Sequence, residues 1–125
     1  KWWWGVLREA SDRLVLTFSC NFGIASSMQA EARALLFGIK LCLQRGFDVF
    51  DVELDSLVLV QILYRTSHCP WSIYEEVQQL VGLVSHFHEF ITVIVRLTRL
   101  QIYWPMKVVG LAGTRSTWQL HLYPS

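Results

Sequence analysis

A chain of 125 residues with 53% hydrophobic content carries enough apolar surface for the core of one domain. Its apolar runs are all much shorter than the roughly 20 residues that cross a bilayer, which excludes a membrane helix. A formal net charge of +1 excludes a broadly basic polyanion binder, so any affinity for phosphates has to come from a local patch.

The elements follow from periodicity. Residues 5–8 and 13–20 read as two strands, the second alternating Leu14, Leu16, Phe18 and Cys20 on one face, and the turn between them makes an antiparallel hairpin. Ser26, with Gln29 three places on, has the form of a capping box. It opens a helix that carries Ala32, Leu35, Leu36, Ile39 and Leu43 on one side, with Gly46 as its stop. Residues 47–54 read as a buried strand returning after that helix, and residues 56–64 as a short apolar helix. A second capping box, Ser72 with Glu75, opens a helix that buries Ile73, Val77, Leu80, Val81 and Val84. Residues 89–96 resume as a β-branched strand. Beyond them Pro105 and Gly110 interrupt any sustained period. The chain therefore divides into an α/β domain over residues 1–97, a mixed sheet flanked by helices, and an irregular tail over residues 98–125.

Cys20, Cys42 and Cys69 are odd in number and lack the paired spacing of a zinc site or a disulfide framework. They read as buried thiols in a reducing compartment, the nucleus or cytoplasm. The opening residues lack the apolar run and small-residue cleavage site of a secretory signal.

Two acids carry the candidate chemistry. Glu31 lies in the first turn of the capped helix and Asp55 at the carboxyl end of the following strand, so an α/β packing could bring these two acids together. Paired carboxylates at a strand end suit Mg²⁺, which wants oxygen ligands. Two structural roles stand beside that reading: Glu31 favouring the helix N-terminus through the dipole, and Asp55 capping the next helix.

The stretch SSMQAEARALLFGIKLCLQRGFDVFDVELDSLVLVQIL resembles the ribonuclease H-like domain that plants carry in association with reverse transcriptase. Ala30-Glu31 matches the pair that opens the family's first helix, and Glu53-Leu54-Asp55-Ser56 matches the motif closing its next strand. Gly5-Val6-Leu7-Arg8, Pro70-Trp71-Ser72-Ile73 and the HFHEF run at residues 86–90 also match. The resemblance implies a ribonuclease H fold, with strands ordered 3-2-1-4-5 and the first in the middle. It further implies a retrotransposon-related activity, Mg²⁺-dependent cleavage of the RNA strand of an RNA–DNA hybrid by two metal ions. Four acids build the family's site, and Glu31 and Asp55 match two of them. The other two belong to the central first strand, expected upstream of Lys1 and so lacking here, and to a closing helix with no match in residues 92–125. Without that strand the hairpin and the strand at residues 47–54 are expected to have open edges, with aggregation or partner dependence as the consequence.

The coding possibilities account for both ends. Trp2-Trp3-Trp4-Gly5 read one base later becomes a glycine run, which is what the family shows before Val-Leu-Arg. From residue 91 onward, joining the last base of each codon to the first two of the next, Tyr103 into Trp104 can give only Leu, Trp104 into Pro105 only Ala, Met106 into Lys107 only Glu, and Gln101 into Ile102 only Asp or Asn. These fall in the order of the closing-helix motif. The tail is therefore expected to be a frame-displaced translation in which the fourth acid was encoded across Gln101 and Ile102.

With two of four acids, negligible cleavage is expected. The alternatives are a non-catalytic module for nucleic acid or protein, or a pseudogene product. Arg8, Arg13, Arg33, Lys40, Arg45 and Arg65 form either a binding face or a solvated surface, with the balanced charge favouring the second. His86, His88 and Glu89 invite a metal reading but lack a third good ligand, and a role at a helix end is preferred. Trp71 reads as an anchor for the third helix, and Trp104 and Trp118 receive no role.

Overall fold

The structure, a computed structural model, describes residues 2–9, 11, 13–47, 50–54, 57–63, 68–86, 91–97, 100–104, 107–110 and 118–124. Local chemistry fixes both ends of the first helix, α1 (Ser27–Gln44). The Ser26 hydroxyl accepts from the Gln29 amide at 3.1 Å, and Gln29 Oε1 accepts from the Ser26 amide at 3.0 Å. This is the reciprocal capping box the sequence announces. At the other end Gly46 takes φ +86°, the left-handed conformation that ends a helix without a Cβ penalty. Between these ends Ala30, Ala34, Leu35, Ile39 and Cys42 are wholly buried.

Strands β1 (Trp2–Glu9) and β2 (Leu14–Asn21) form the expected antiparallel hairpin. At its turn Arg13 Nε donates to Glu9 Oε2 at 2.9 Å. The tryptophan run is explained by the pleat, since successive side chains point to opposite faces: Trp3 is buried while Trp2 and Trp4 are about half exposed. Gly5 is required by close packing. It faces Phe18 across the hairpin, and a Cβ there would lie 2.0 Å from Phe18 Cζ. The same ring fits under Gly38 of α1, so two glycines let the helix settle on the sheet.

β3 (Phe50–Leu54) is buried along its whole length and lies within the strand expected at residues 47–54, of which 48 and 49 lie outside the described residues. Next come α2 (Leu57–Leu63) and a 3-10 turn over Trp71–Ile73 that runs into α3 (Tyr74–His86). The expected capping box at Ser72 and Glu75 is replaced by this turn, whose N-cap, Pro70, makes no side-chain cap bond. The Ser72 carbonyl instead accepts from Gln29 Nε2 at 3.3 Å, tying the turn to the start of α1. The apolar stripe is as expected where its side chains are described: Ile73, Val77 and Leu80 are buried and Val81 packs against the core.

β4 (Ile91–Leu97), β5 (Leu100–Trp104), β6 (Lys107–Gly110) and β7 (Trp118–Pro124) complete one seven-stranded mixed sheet, in the order β2-β1-β7-β3-β4-β5-β6. The α/β class, with a mixed sheet flanked by helices, is as expected. The described residues of the tail beyond residue 97, expected to be irregular, are strands β5, β6 and β7, and the last of them has a central place. β7 lies between β1 and β3, antiparallel to β1 from Trp3↔Pro124 to Glu9↔Trp118 and parallel to β3 from Phe50↔Trp118 to Glu53↔His121. This corrects the expectation of two open edges, because the backbone groups of both β1 and β3 find partners on β7. The reason lies in WQLHLYP: Leu120 and Leu122 point into the core at 0% and 2% exposure, while Gln119, His121 and Tyr123 alternate onto the other face. Trp118 also gains a role, meeting Phe47 edge to face with ring centroids 5.0 Å apart.

Candidate functional site

Glu31 is the fifth residue of α1 and half-buried, flanked by the buried Ala30 and Ala32. The first turn of α1 holds no acid, which corrects the placement of Glu31 in that turn and weakens its dipole role, since that effect fades within the first turn. Asp55 immediately follows Leu54, the last residue of β3, and lies outside the described residues together with Ser56. The separation of the two carboxylates is therefore not described.

β3 instead contributes two acids that sequence reasoning passed over. Asp51 and Glu53 are only 3% and 5% exposed, and both have polar or electrostatic partners, as charged groups withdrawn from water must. The Glu53 partner is on β7. His121 stands level with it in the parallel ladder, and His121 Nδ1 lies 3.3 Å from Glu53 Oε2. The other imidazole nitrogen is shut away from solvent. The ring stacks on Tyr123, with centroids 4.2 Å apart and planes 3° from parallel. Tyr123 in turn faces Trp4 of β1. A carboxylate, an imidazole and two aromatic rings thus follow one another across the sheet face opposite α1, with Trp4 and Tyr123 reaching solvent. Such a row orients the imidazole through Glu53 and presents aromatic surface, but it offers little oxygen chemistry. Its signal was legible in the alternation of Trp118–Pro124, hidden by the short length of that run within a tail of no sustained period.

Mg²⁺ calls for several oxygen donors converging on one point. Among the described residues no group of three or more His, Cys, Asp or Glu gathers in that way. The strand in the central slot sets Trp118, Gln119, Leu120 and His121, none of them a carboxylate, alongside β3. The described donor set does not fit a pair of Mg²⁺ ions.

The basic residues are mostly occupied. Arg33 Nε lies 3.3 Å from Glu76 Oε1, and Lys40 Nζ donates to Gln79 Oε1 at 3.1 Å. With the Gln29 bond to Ser72, these form a polar seam holding α3 against α1. Arg13 is paired to Glu9, Arg8 is also engaged, and Arg65 lies outside the described residues. Trp71 corrects its expectation: at 90% exposure it is not a buried anchor for α3. The 3-10 turn directs Ile73 inward in its place and leaves the indole over a shallow groove, about 520 Å³, shared with Gln29, Arg33 and Tyr74. His88 and Glu89 lie outside the described residues, and His86 closes α3 with its side chain undescribed.

Burial raises all three thiols, as expected of buried cysteines, though only Cys42 is fully enclosed. Its thiol is pushed up to about 12 by desolvation. Cys20 and Cys69 are half-buried and raised by the same cause, with Glu76 adding to the effect at Cys69. All three are free.

A mixed sheet with an antiparallel hairpin on one side, parallel β3 and β4 on the other and α1 packed across the middle is a ribonuclease H-like α/β fold. Residues 4–101 match the reverse transcriptase-like family, and the chain belongs to it. No curated protein and no solved structure matches the chain. Among the described residues no helix is long and apolar enough to cross a membrane.

Proposed function

We propose that the chain is a nucleic-acid-binding ribonuclease H-like domain, of the kind plants carry beside reverse transcriptase, that engages RNA–DNA hybrids with negligible cleavage. Membership of the reverse transcriptase-like family supports the nucleic-acid reading. The observation that carries the lack of cleavage is the occupant of the central slot. β7, Trp118–Pro124, contains no Asp or Glu, so the strand beside β3 supplies none of the carboxylates that two-metal hydrolysis needs. Glu31 and Asp55 are assigned as the two remaining family acids, which alone bind Mg²⁺ weakly at best. Displacement of the reading frame over the C-terminal residues belongs to the same proposal and is tested by sequencing the transcript.

The test pairs binding with cleavage. A labelled RNA–DNA hybrid, duplex DNA and single strands are titrated at low and moderate salt, and the hybrid is then followed after addition of Mg²⁺. The expected result is hybrid binding that weakens with salt and an intact RNA strand. Mg²⁺-dependent cleavage abolished by Glu31→Gln or Asp55→Asn defeats the claim of inactivity. No binding to any nucleic acid defeats the whole reading.

A further inference from the structure

The groove beside Trp71 stands on fixed backbone. Pro70 opens the 3-10 turn, the Ile73 amide donates to the Pro70 carbonyl at 3.1 Å, and the Tyr74 amide donates to the Trp71 carbonyl. Gln29 Nε2 on α1 holds the Ser72 carbonyl at 3.3 Å. In so tight a turn side chains three residues apart nearly eclipse, and those four apart share the face. Trp71, Tyr74 and Glu75 therefore surround one opening of about 520 Å³, within the range of about 300–1,000 Å³ that ligand clefts occupy. Trp71 and Tyr74 are 90% and 55% exposed, and Glu75 is exposed beside them.

The other polar members of the groove are engaged. Arg33 Nε lies 3.3 Å from Glu76 Oε1, so the groove's cation and one of its two carboxylates offset each other. Gln29 uses its amide nitrogen on Ser72 and its amide oxygen on the Ser26 amide. Lys40, the next cation along α1, is seven residues from Arg33, about 10 Å along the helix axis, and donates to Gln79. What remains open to solvent is an indole, a phenol and the Glu75 carboxylate, which has no ion-pair partner among the described residues. The first turn of α3 favours both acids through the helix dipole, but that does not account for two aromatic rings held in water beside them.

Two electron-rich ring faces and an excess of negative charge repel phosphate and attract an organic cation. A guanidinium meets this set best, because its plane stacks on an aromatic ring while its N–H fork donates to a carboxylate. Fixed backbone under all three groups keeps the ordering cost of binding low. We propose that this groove docks an arginine side chain from a basic peptide segment of another protein, with Trp71 and Tyr74 taking the guanidinium plane and Glu75 its N–H groups. The site is separate from any surface that holds nucleic acid, so nucleic-acid binding by the chain neither supports nor opposes it.

The test uses the full chain and fluorescein-labelled peptides followed by anisotropy. One peptide carries arginines spaced by glycine and serine. Its twin carries citrulline at the same places, which keeps the shape and removes the charge. The arginine peptide is expected to bind saturably at low salt, and the citrulline peptide about tenfold more weakly. Trp71→Ala should weaken the arginine peptide about tenfold, as loss of a cation–π contact, and Glu75→Gln about threefold, as loss of an exposed ion pair. Both side chains are exposed, so the circular dichroism and urea midpoints of the two variants should match those of the unaltered chain. Absence of saturable binding, citrulline bound as tightly as arginine, or an affinity untouched by Trp71→Ala overturns the proposal. So does a single-stranded RNA oligonucleotide that displaces the peptide and itself loses affinity with Trp71→Ala, which would make the indole a platform for bases.

Discussion

Replacing Leu120 by alanine separates a strand that belongs to the core from a tail that merely follows the domain. Leu120 is fully buried on β7, facing Val52 on one side and Leu7 on the other, both also at 0% exposure. It also packs against α1: a Cβ added at Gly38 would lie 3.0 Å from Leu120 Cδ2. Removing three heavy atoms from such a site loses their transfer free energy and leaves a cavity that helix and sheet cannot readily close, which typically costs about 2–5 kcal/mol. With a urea slope of about 2 kcal/mol/M for a small domain, a loss of about 3 kcal/mol moves the unfolding midpoint down by about 1.5 M. The assay is urea unfolding followed by tryptophan fluorescence at fixed protein concentration. Leu14→Ala, at a side chain 53% exposed on the edge strand β2, serves as the control and should change stability by less than about 0.5 kcal/mol. If Leu120→Ala shifts the midpoint no more than Leu14→Ala does, β7 is not a core strand and the reasoning built on it fails.

Gly5→Ala should destabilise by about 1–3 kcal/mol, because the new methyl group meets the Phe18 ring at 2.0–2.8 Å and forces the ring from under α1; a thermal melt reads this, and Phe18→Leu should relieve part of it. Cys42 gives a pH dependence of definite sign. Its folded value is raised from 9.0 to about 12, so the native state holds the proton more tightly than the unfolded chain. The stability it confers is complete below about pH 9 and is lost between about pH 9 and 12; Cys42→Ala should flatten that slope in alkaline unfolding curves. The same burial makes Cys42 the slowest of the three thiols towards a water-soluble thiol reagent, with Cys20 and Cys69 modified first. Arg33→Gln removes one bond of the seam between α1 and α3, and because Arg33 is partly exposed the loss should stay under about 1 kcal/mol in a urea titration.

What was legible in the sequence was what short-range chemistry decides. Ser26 and Gln29 announced the start of α1, Gly46 its end, and the alternation around Leu16 and Phe18 the hairpin, because each signal is complete within a few residues. The entry to α3 was misread for the same reason: Ser72 and Glu75 satisfy the local pattern of a cap, but Gln29, distant in sequence, takes the Ser72 carbonyl while Pro70 starts a tighter turn. β7 was hidden in a different way. Seven alternating residues are a weak signal alone, and their meaning depends on a slot between β1 and β3 that no local rule displays. The Glu53 and His121 pair followed it out of view, since the two residues become neighbours only once that slot is filled. Of the two acids drawn from the family motif, Glu31 is placed on α1, and Asp55 lies outside the described residues.

Backbone amide exchange along Trp118–Pro124 tests the central position of β7 most directly, because hydrogen bonds on both sides of a strand protect its amides to the level of global unfolding. Followed by mass spectrometry on the full chain, peptides from this segment should exchange as slowly as those from β1 and β3. Complete exchange within seconds, while β1 and β3 remain protected, would contradict the account.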